Sequence, residues 1–146
     1  MQRFRFRLAS VLKWRGLQLE LEQSKLETLF AERNRCQAEL ARLEACRSEA
    51  DRILTGPSID SQQLAALDSH RAALKRSREK TRSSEADCER RIATQRAAVA
   101  EAERRVRLLE RLQQRRREEW DLEAARELET LASETFLAKW VRERQS

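Results

Sequence analysis

The chain has 146 residues and a net charge of +6, with 38% charged residues, 5% aromatic residues, two glycines and one proline. So few turn-forming residues exclude an all-β protein or a compact α/β domain, since average proteins contain about 7% glycine and about 5% proline. The abundant Ala, Arg, Glu, Leu and Gln are good helix formers, so the composition favours long helices or a coiled coil in a single domain.

The first predicted element is a helix over about residues 4–54. Apolar residues recur there in alternating steps of four and three, which is the spacing of a left-handed coiled coil. Four charged residues interrupt this seam, but long arginine stems can lie along apolar surface while their charged heads stay in water. The seam comprises Leu8, Leu12, Arg15, Leu19, Glu22, Leu26, Leu29, Arg33, Cys36, Leu40, Leu43, Arg47, Ala50 and Leu54.

The helical pattern stops at the sequence TGPSID, residues 55–60, which we expect to form the hairpin tip. Gly56 suits a left-handed position after a helix, and Pro57 cannot continue one. Asp60 is a good N-cap for a second helix, with Gln63 as its capping partner. Residues 58–74 are dense in Leu and Ala, so an alternative is a short separate tip helix that extends to about residue 70.

The second predicted helix runs to about residue 144, because no glycine or proline interrupts the sequence after the tip. Between Leu112 and Trp120 the heptad spacing of the apolar residues becomes irregular, as a stutter in the repeat would produce. The clearest seam positions are Cys88, Ile92, Val99, Ala102, Val106 and Leu109, and the pattern resumes through Leu128, Leu131 and Trp140.

One tight turn between two heptad helices predicts an all-α, antiparallel coiled-coil hairpin whose second helix is longer than the first. Folding at about residue 62 would pair residue i with about residue 124 − i. Cys36 would then face Cys88, and Phe4 would lie near Trp120. Roughly 25 residues of the second helix would extend beyond their partner.

The sequence shows no catalytic or cofactor chemistry. Its three cysteines, Cys36, Cys46 and Cys88, lack the C-x-x-C spacing, and the single histidine is His70. We therefore expect reduced thiols, no metal and no cofactor. A pair of helices also offers no concave pocket where catalytic groups converge, so we expect a protein that is not an enzyme.

Residues 3–15, RFRFRLASVLKWR, contain five basic residues and no acid. A basic, amphipathic segment of this kind is also typical of a mitochondrial presequence, which is one alternative. The heptad pattern begins inside the segment at Leu8, which favours a folded role. No apolar run is long enough for a signal peptide or a membrane span.

The same segment resembles the N-terminal signature of the FliJ family of flagellar type III export proteins. That family begins with F-x-F-x-L followed by V-L-x-x-R, matched here by Phe4, Phe6, Leu8, Val11, Leu12 and Arg15. RLLERLQQRRREEW, residues 107–120, is similar to the family's second-helix stretch of leucines followed by arginines. ARELETLASETF, residues 125–136, matches the family's C-terminal pattern only in part, because Leu128 and Ser133 stand where acids are expected.

This resemblance implies a non-enzymatic component of the flagellar type III export apparatus. Family members are antiparallel coiled coils similar to the stalk of rotary ATPases. They lie in the centre of the hexameric export ATPase ring, promote its assembly, link it to the membrane export gate and bind export chaperones. The implied location is cytoplasmic and peripheral at the inner face of the cytoplasmic membrane, with no direct membrane insertion and no nucleic acid partner.

Two contact surfaces follow for such a protein. Arginine and aromatic residues are common in binding hot spots, and the hairpin would gather both types at its open end. The predicted ATPase-ring contact is Phe4, Arg5, Phe6, Arg7, Trp14, Arg115, Arg116, Arg117 and Trp120. The predicted contact with the cytoplasmic domain of the export-gate protein is Leu64, Leu67, His70 and Leu74. The alternatives are that the phenylalanines only pack at the end of the coiled coil, and that the leucines only pack locally at the tip.

Two other functions remain open at this point. A nucleic-acid-binding coiled-coil arm would use the basic run Arg71, Lys75, Arg76, Arg78, Lys80 and Arg82. Acidic residues interleave with that run, and no aromatic stacking platform lies near it. A generic scaffold coiled coil is the other alternative.

Overall fold

The structure is a computed structural model that describes residues 3–56 and 58–145. It contains two helices, α1 (Ala9–Leu54, 46 residues) and α2 (Ser61–Gln145, 85 residues), with no strand in either described range. The predicted all-α antiparallel hairpin with a longer second helix is therefore confirmed. Contacts divide the chain into two units, one of residues 20–101 and one formed by residues up to Leu19 together with those from Ala102 onward.

The core of the 20–101 unit is a stripe of apolar side chains from both helices. Ile92 is the most enclosed of them, at 1% exposed. Because the stripe follows the predicted seam positions, the heptad spacing correctly identified the buried face of each helix. Arg47 is an exception on α1, since its side chain is exposed. The buried residues are Leu29, Leu43 and Ala50 from α1 and Cys88, Ile92 and Val99 from α2.

Ion pairs between the two helices confirm the predicted antiparallel register within this unit. As the α1 member of the pair moves from Glu32 to Asp51, the α2 member moves from Arg91 back to Arg71. Exposed pairs of this kind contribute at most about 1 kcal/mol each, so they specify alignment more than they stabilise the fold. The pairs are Glu32–Arg91 at 3.2 Å, Arg33–Glu89 at 3.7 Å, Glu44–Arg78 at 3.7 Å and Asp51–Arg71 at 2.9 Å.

The first helix starts later than we predicted, at Ala9 rather than near residue 4. Phe4 and Phe6 are half-buried while the three arginines that alternate with them are exposed. A burial period of two residues belongs to extended chain and not to a helix. The Ala9 N–H donates to the Phe6 carbonyl at 3.2 Å, which closes the turn that leads into α1.

The last part of α2 continues as helix without a covering partner in the described chain. Trp120 is half-buried and Ala124 is 8% exposed, but every residue over 125–145 is exposed. The expected extension of about 25 residues beyond the paired region is therefore present. Leu128, Leu131 and Trp140, which we predicted to resume the seam, are all open to solvent.

The turn differs from the prediction in two respects. Gly56 does not adopt a left-handed conformation, since no described glycine has a positive φ. Its N–H instead donates to the Ile53 carbonyl at 3.2 Å, and an added Cβ would lie only 3.1 Å from that oxygen. Pro57, which we expected to end the first helix, lies outside the described residues.

The second helix begins as the capping residues predicted. The Asp60 carboxylate accepts a 2.6 Å hydrogen bond from the Gln62 N–H, and the Gln63 side chain accepts one of 3.3 Å from the Asp60 N–H. The Gln63 bond is the one that a capping box provides, while the Asp60 carboxylate caps the N–H of N2 rather than that of N3. The alternative of a separate tip helix is wrong, because α2 runs uninterrupted from Ser61 and no glycine or proline is present to break it.

Neither helix contains, within the described residues, a segment long and apolar enough to cross a membrane.

Candidate functional site

The candidate site is a cluster of two aromatic rings and one guanidinium, which we call the aromatic–arginine cluster: Phe4, Arg117 and Trp120. The ring centroids of Phe4 and Trp120 are 6.1 Å apart and the ring planes are inclined at 60°. This tilted arrangement brings the positive edge of one ring toward the negative face of the other. Phe4 makes this contact from the non-helical segment that precedes α1.

Arg117 binds both rings of the cluster. Its guanidinium carbon lies 5.2 Å from the Phe4 centroid and 5.5 Å from the Trp120 centroid. Its Nε also lies 3.4 Å from a carboxylate oxygen of Asp121. A cation held over two rings contributes about 0.5–1 kcal/mol for each contact at an exposed site. The cluster therefore joins residue 4 to the second helix by attraction as well as by burial.

Further basic residues lie next to the members of this cluster in the sequence without being part of it. Arg116 forms an ion pair with Glu119 at 3.0 Å on the same helix. The other predicted arginines of this surface are exposed, namely Arg5, Arg7 and Arg115, as is Arg3. Their exposed guanidinium groups can meet an acidic partner without first losing the contacts that hold the cluster together.

Trp14, also predicted for this surface, is 52% exposed. The guanidinium carbon of Arg15 lies 4.7 Å from the Trp14 ring centroid, and Arg15 also donates a 3.0 Å hydrogen bond to the Gln18 side chain. The Trp14 ring is therefore accessible to solvent and is contacted by Arg15 of the same helix. An exposed tryptophan flanked by arginine is typical of interface hot spots.

The four residues predicted for the second surface do not all line one groove. Leu67 and His70 line a shallow groove together with Ile53 of α1 and Ile59 of the turn. Leu74 lines a neighbouring groove, which also contains Leu43 and several charged side chains. Leu64 is 45% exposed. An apolar groove is therefore present beside the turn. Of the four predicted residues Leu64 and His70 are exposed, whereas Leu67 and Leu74 are half-buried.

Part of the basic run in residues 71–82 is used inside the hairpin. Arg71 pairs with Asp51 and Arg78 pairs with Glu44, both across the two helices. Side chains that align the two helices are less available to nucleic acid phosphates. This observation favours a structural role for those arginines over the nucleic-acid-binding alternative.

Cys36 and Cys88 approach each other across the helix pair, as the predicted register requires. They line the same depression together with Glu32 and Arg91. Burial raises the pKa of the Cys88 thiol, and the neighbouring Cys36 and Glu32 raise it further. All three cysteines are free, and Cys46 is half-buried.

Sequence reasoning missed the role of Arg117 as the residue that binds both rings. It also missed the contact of Phe30 with Arg33 and Arg96, whose guanidinium carbons lie 5.1 Å and 5.5 Å from the ring centroid. The alternating Arg and Phe residues over 3–7 could have revealed the extended segment. No comparable signal in the sequence indicates that Phe30 would be flanked by arginines of both helices.

Comparison with known proteins identifies no relative of this chain, since no protein-family model, no curated protein and no solved structure matches it. Within the described residues, no group of three or more His, Cys, Asp or Glu side chains is placed to hold a metal ion. The accessible chemistry of the candidate site is that of a binding surface formed by aromatic rings and guanidinium groups.

Proposed function

We propose that this chain is a non-enzymatic component of a type III protein export apparatus of the FliJ kind. It would act as the stalk and assembly factor of the hexameric export ATPase, link that ring to the membrane export gate and bind export chaperones. It would work in the cytoplasm, peripherally at the inner face of the cytoplasmic membrane. The resemblance of residues 3–15 to the family signature motivates this proposal.

The observation that carries the proposal is the aromatic–arginine cluster and the exposed arginines around it. Phe4 and Trp120 give the surface a fixed apolar part, because Arg117 and the packed rings hold both residues in place. Arg3, Arg5, Arg7 and Arg115 add positive charge that is not buried. Such a surface fits a partner that offers carboxylates around an apolar contact.

A protein that binds a six-fold ring without sharing its symmetry needs contacts that tolerate an imperfect geometric fit. A two-helix protein cannot match six equivalent subunits at once, so few of its contacts can be tightly complementary. Attraction between charges acts over about 8–10 Å at moderate ionic strength and weakens as salt is added. Exposed arginines therefore suit this role better than a large apolar interface would.

The test is ATP hydrolysis by the purified cognate export ATPase, titrated with this protein at low and moderate salt. Arg5→Glu/Arg7→Glu/Arg115→Glu reverses three exposed charges and leaves the cluster intact. We expect the parent chain to stimulate hydrolysis and this variant to lose most of the stimulation. Circular dichroism should show the same helicity for this variant as for the parent chain.

The matched control reverses the same number of charges in an exposed part of α2 away from the proposed contact, with Arg76→Glu/Lys80→Glu/Arg82→Glu. It should stimulate the ATPase as the parent does. Stimulation by the first variant equal to that of the parent would refute the ring contact. Loss in the control alone would place the contact near the turn instead.

The proposed contact with the export gate has a separate test. Leu64→Asp changes an exposed side chain beside the turn, so it should reduce capture by the purified cytoplasmic domain of the gate protein without unfolding the helix. Leu108→Asp, at a leucine that is 56% exposed, is the matched control. Equal capture of both variants and the parent would exclude Leu64 from this contact.

A further inference from the structure

The C-terminal segment of α2, residues 121–145, exposes an unusual amount of apolar surface. Seven large apolar side chains in it are between 44% and 68% exposed. Single exposed apolar residues are common in proteins, but a concentration in one helical segment marks an interaction site. These residues are Leu122, Leu128, Leu131, Phe136, Leu137, Trp140 and Val141.

The spacing of two of these residues, Leu128 and Leu131, indicates what kind of partner fits. Trp120 and Ala124 are the last covered positions of the α2 seam, and Leu128 and Leu131 continue it in steps of four and three residues. A heptad seam packs against another helix, because each side chain enters a hole formed by four residues of the facing helix. The continuation of the seam therefore predicts a helical partner.

The charges of the C-terminal segment are divided between its two halves. Residues 121–134 contain five acids and one base, and residues 135–145 contain three bases and one acid. The acids of the first half are Asp121, Glu123, Glu127, Glu129 and Glu134, and the bases of the second half are Lys139, Arg142 and Arg144.

This division makes the segment complementary to itself in one orientation only. An antiparallel copy sets the acidic half of each helix against the basic half of the other, whereas a parallel copy sets like charge against like charge. A two-fold axis then relates the two copies, as in most homodimers.

We propose that a second copy of this chain covers the C-terminal segment, with the two segments antiparallel about a two-fold axis near residue 133. In this arrangement Lys139 of one copy lies opposite Glu127 of the other. The inference does not depend on the proposed function. If that function is correct, the dimer would have to open before this end of the chain could enter a ring.

The first test is sedimentation velocity of the full chain alone, over a concentration series to about 0.5 mM. We expect a reversible monomer–dimer equilibrium. Leu128→Asp/Leu131→Asp should weaken it at least about tenfold, since two charges would enter the seam of each copy. Leu17→Asp/Leu108→Asp changes two leucines that are each 56% exposed elsewhere and should dimerise as the parent does. A chain that stays monomeric throughout, or a control that loses dimerisation equally, overturns the proposal.

The second test exchanges the charges. One variant carries Lys139→Glu/Arg142→Glu/Arg144→Glu, and the other carries Glu123→Lys/Glu127→Lys/Glu129→Lys. Each alone should dimerise at least about tenfold more weakly than the parent, because opposed charges become like charges. An equimolar mixture should recover dimers, and failure to recover them contradicts the charge pairing.

Orientation is read separately by zero-length carbodiimide cross-linking of the parent, mixed as isotope-labelled and unlabelled copies. Links between Lys139 of one copy and acids within residues 121–129 of the other confirm the antiparallel dimer. Links from Lys139 to Glu134 or Glu143 of the other copy indicate a parallel pair and overturn it.

Discussion

The side-chain amide of Gln95 donates a hydrogen bond of 2.9 Å to the backbone carbonyl of Glu22, and it also bonds the Glu22 carboxylate. Both residues are half-buried in the seam, where one polar side chain from each helix meets the other. The Gln95 bond, together with Lys25 at 3.1 Å, holds the pKa of Glu22 below its ordinary value of 4.5. A polar pair in an apolar seam specifies register, since any slip leaves both groups without a partner.

Glu22 should stabilise the fold at neutral pH and lose that effect in acid. Its stabilisation is fully present above the unfolded pKa and is lost as the pH falls through the lower folded pKa. The melting temperature of Glu22→Gln should therefore be lower than that of the parent at about pH 7. The difference between the two melting temperatures should narrow toward about pH 3. Thermal melts followed by circular dichroism measure this, with exposed Glu27→Gln as the control. An equal gap at both pH values would contradict the assignment.

Ile92 should be among the most sensitive apolar positions of the 20–101 unit. Its side chain is 1% exposed, so Ile92→Ala leaves a cavity in the seam and should cost about 2–5 kcal/mol of unfolding free energy. The exposed Leu108→Ala should change stability by less than about 0.5 kcal/mol. Urea denaturation followed by circular dichroism compares the two. A similar loss in both variants would show that the seam is not the main source of stability.

Cys88 should react more slowly with iodoacetamide than Cys46 does. Burial raises the pKa of Cys88 and also blocks access to its sulfur, and the thiolate is the reactive form. Mass spectrometry of partly labelled protein should show a difference of at least about tenfold in the native state and none in urea. Equal native rates would mean that the helix pair opens at this position faster than the reagent reacts.

The capping box at Asp60 should matter for the start of α2. Asp60→Ala removes the acceptor of the Gln62 N–H and should cost about 1 kcal/mol. Asp60→Asn keeps a side-chain acceptor and should cost much less. Chemical denaturation resolves the difference, and equal stability of the alanine variant and the parent would show that the hydrogen bond is absent in solution.

Much of the hairpin could be predicted from local sequence patterns. The heptad spacing identified the buried stripe of each helix, because a residue's place in a 3.5-residue repeat fixes the side on which it lies. The Asp60 and Gln63 pair predicted the start of α2, because capping depends on residues only a few positions apart. One turn between two helices then fixed their antiparallel register, including the approach of Cys36 to Cys88.

Other features were decided only by the tertiary structure. Residues 3–6 are not helical and residues 7 and 8 form a turn, while Phe4 contacts Trp120 and Arg117 more than a hundred positions along the chain. The exposure of residues 125–145 depends on where the first helix begins and which residues it covers, which no local pattern specifies. Contacts between residues far apart in the chain depend on the geometry of both helices together, whereas periodicity reports only on one helix at a time.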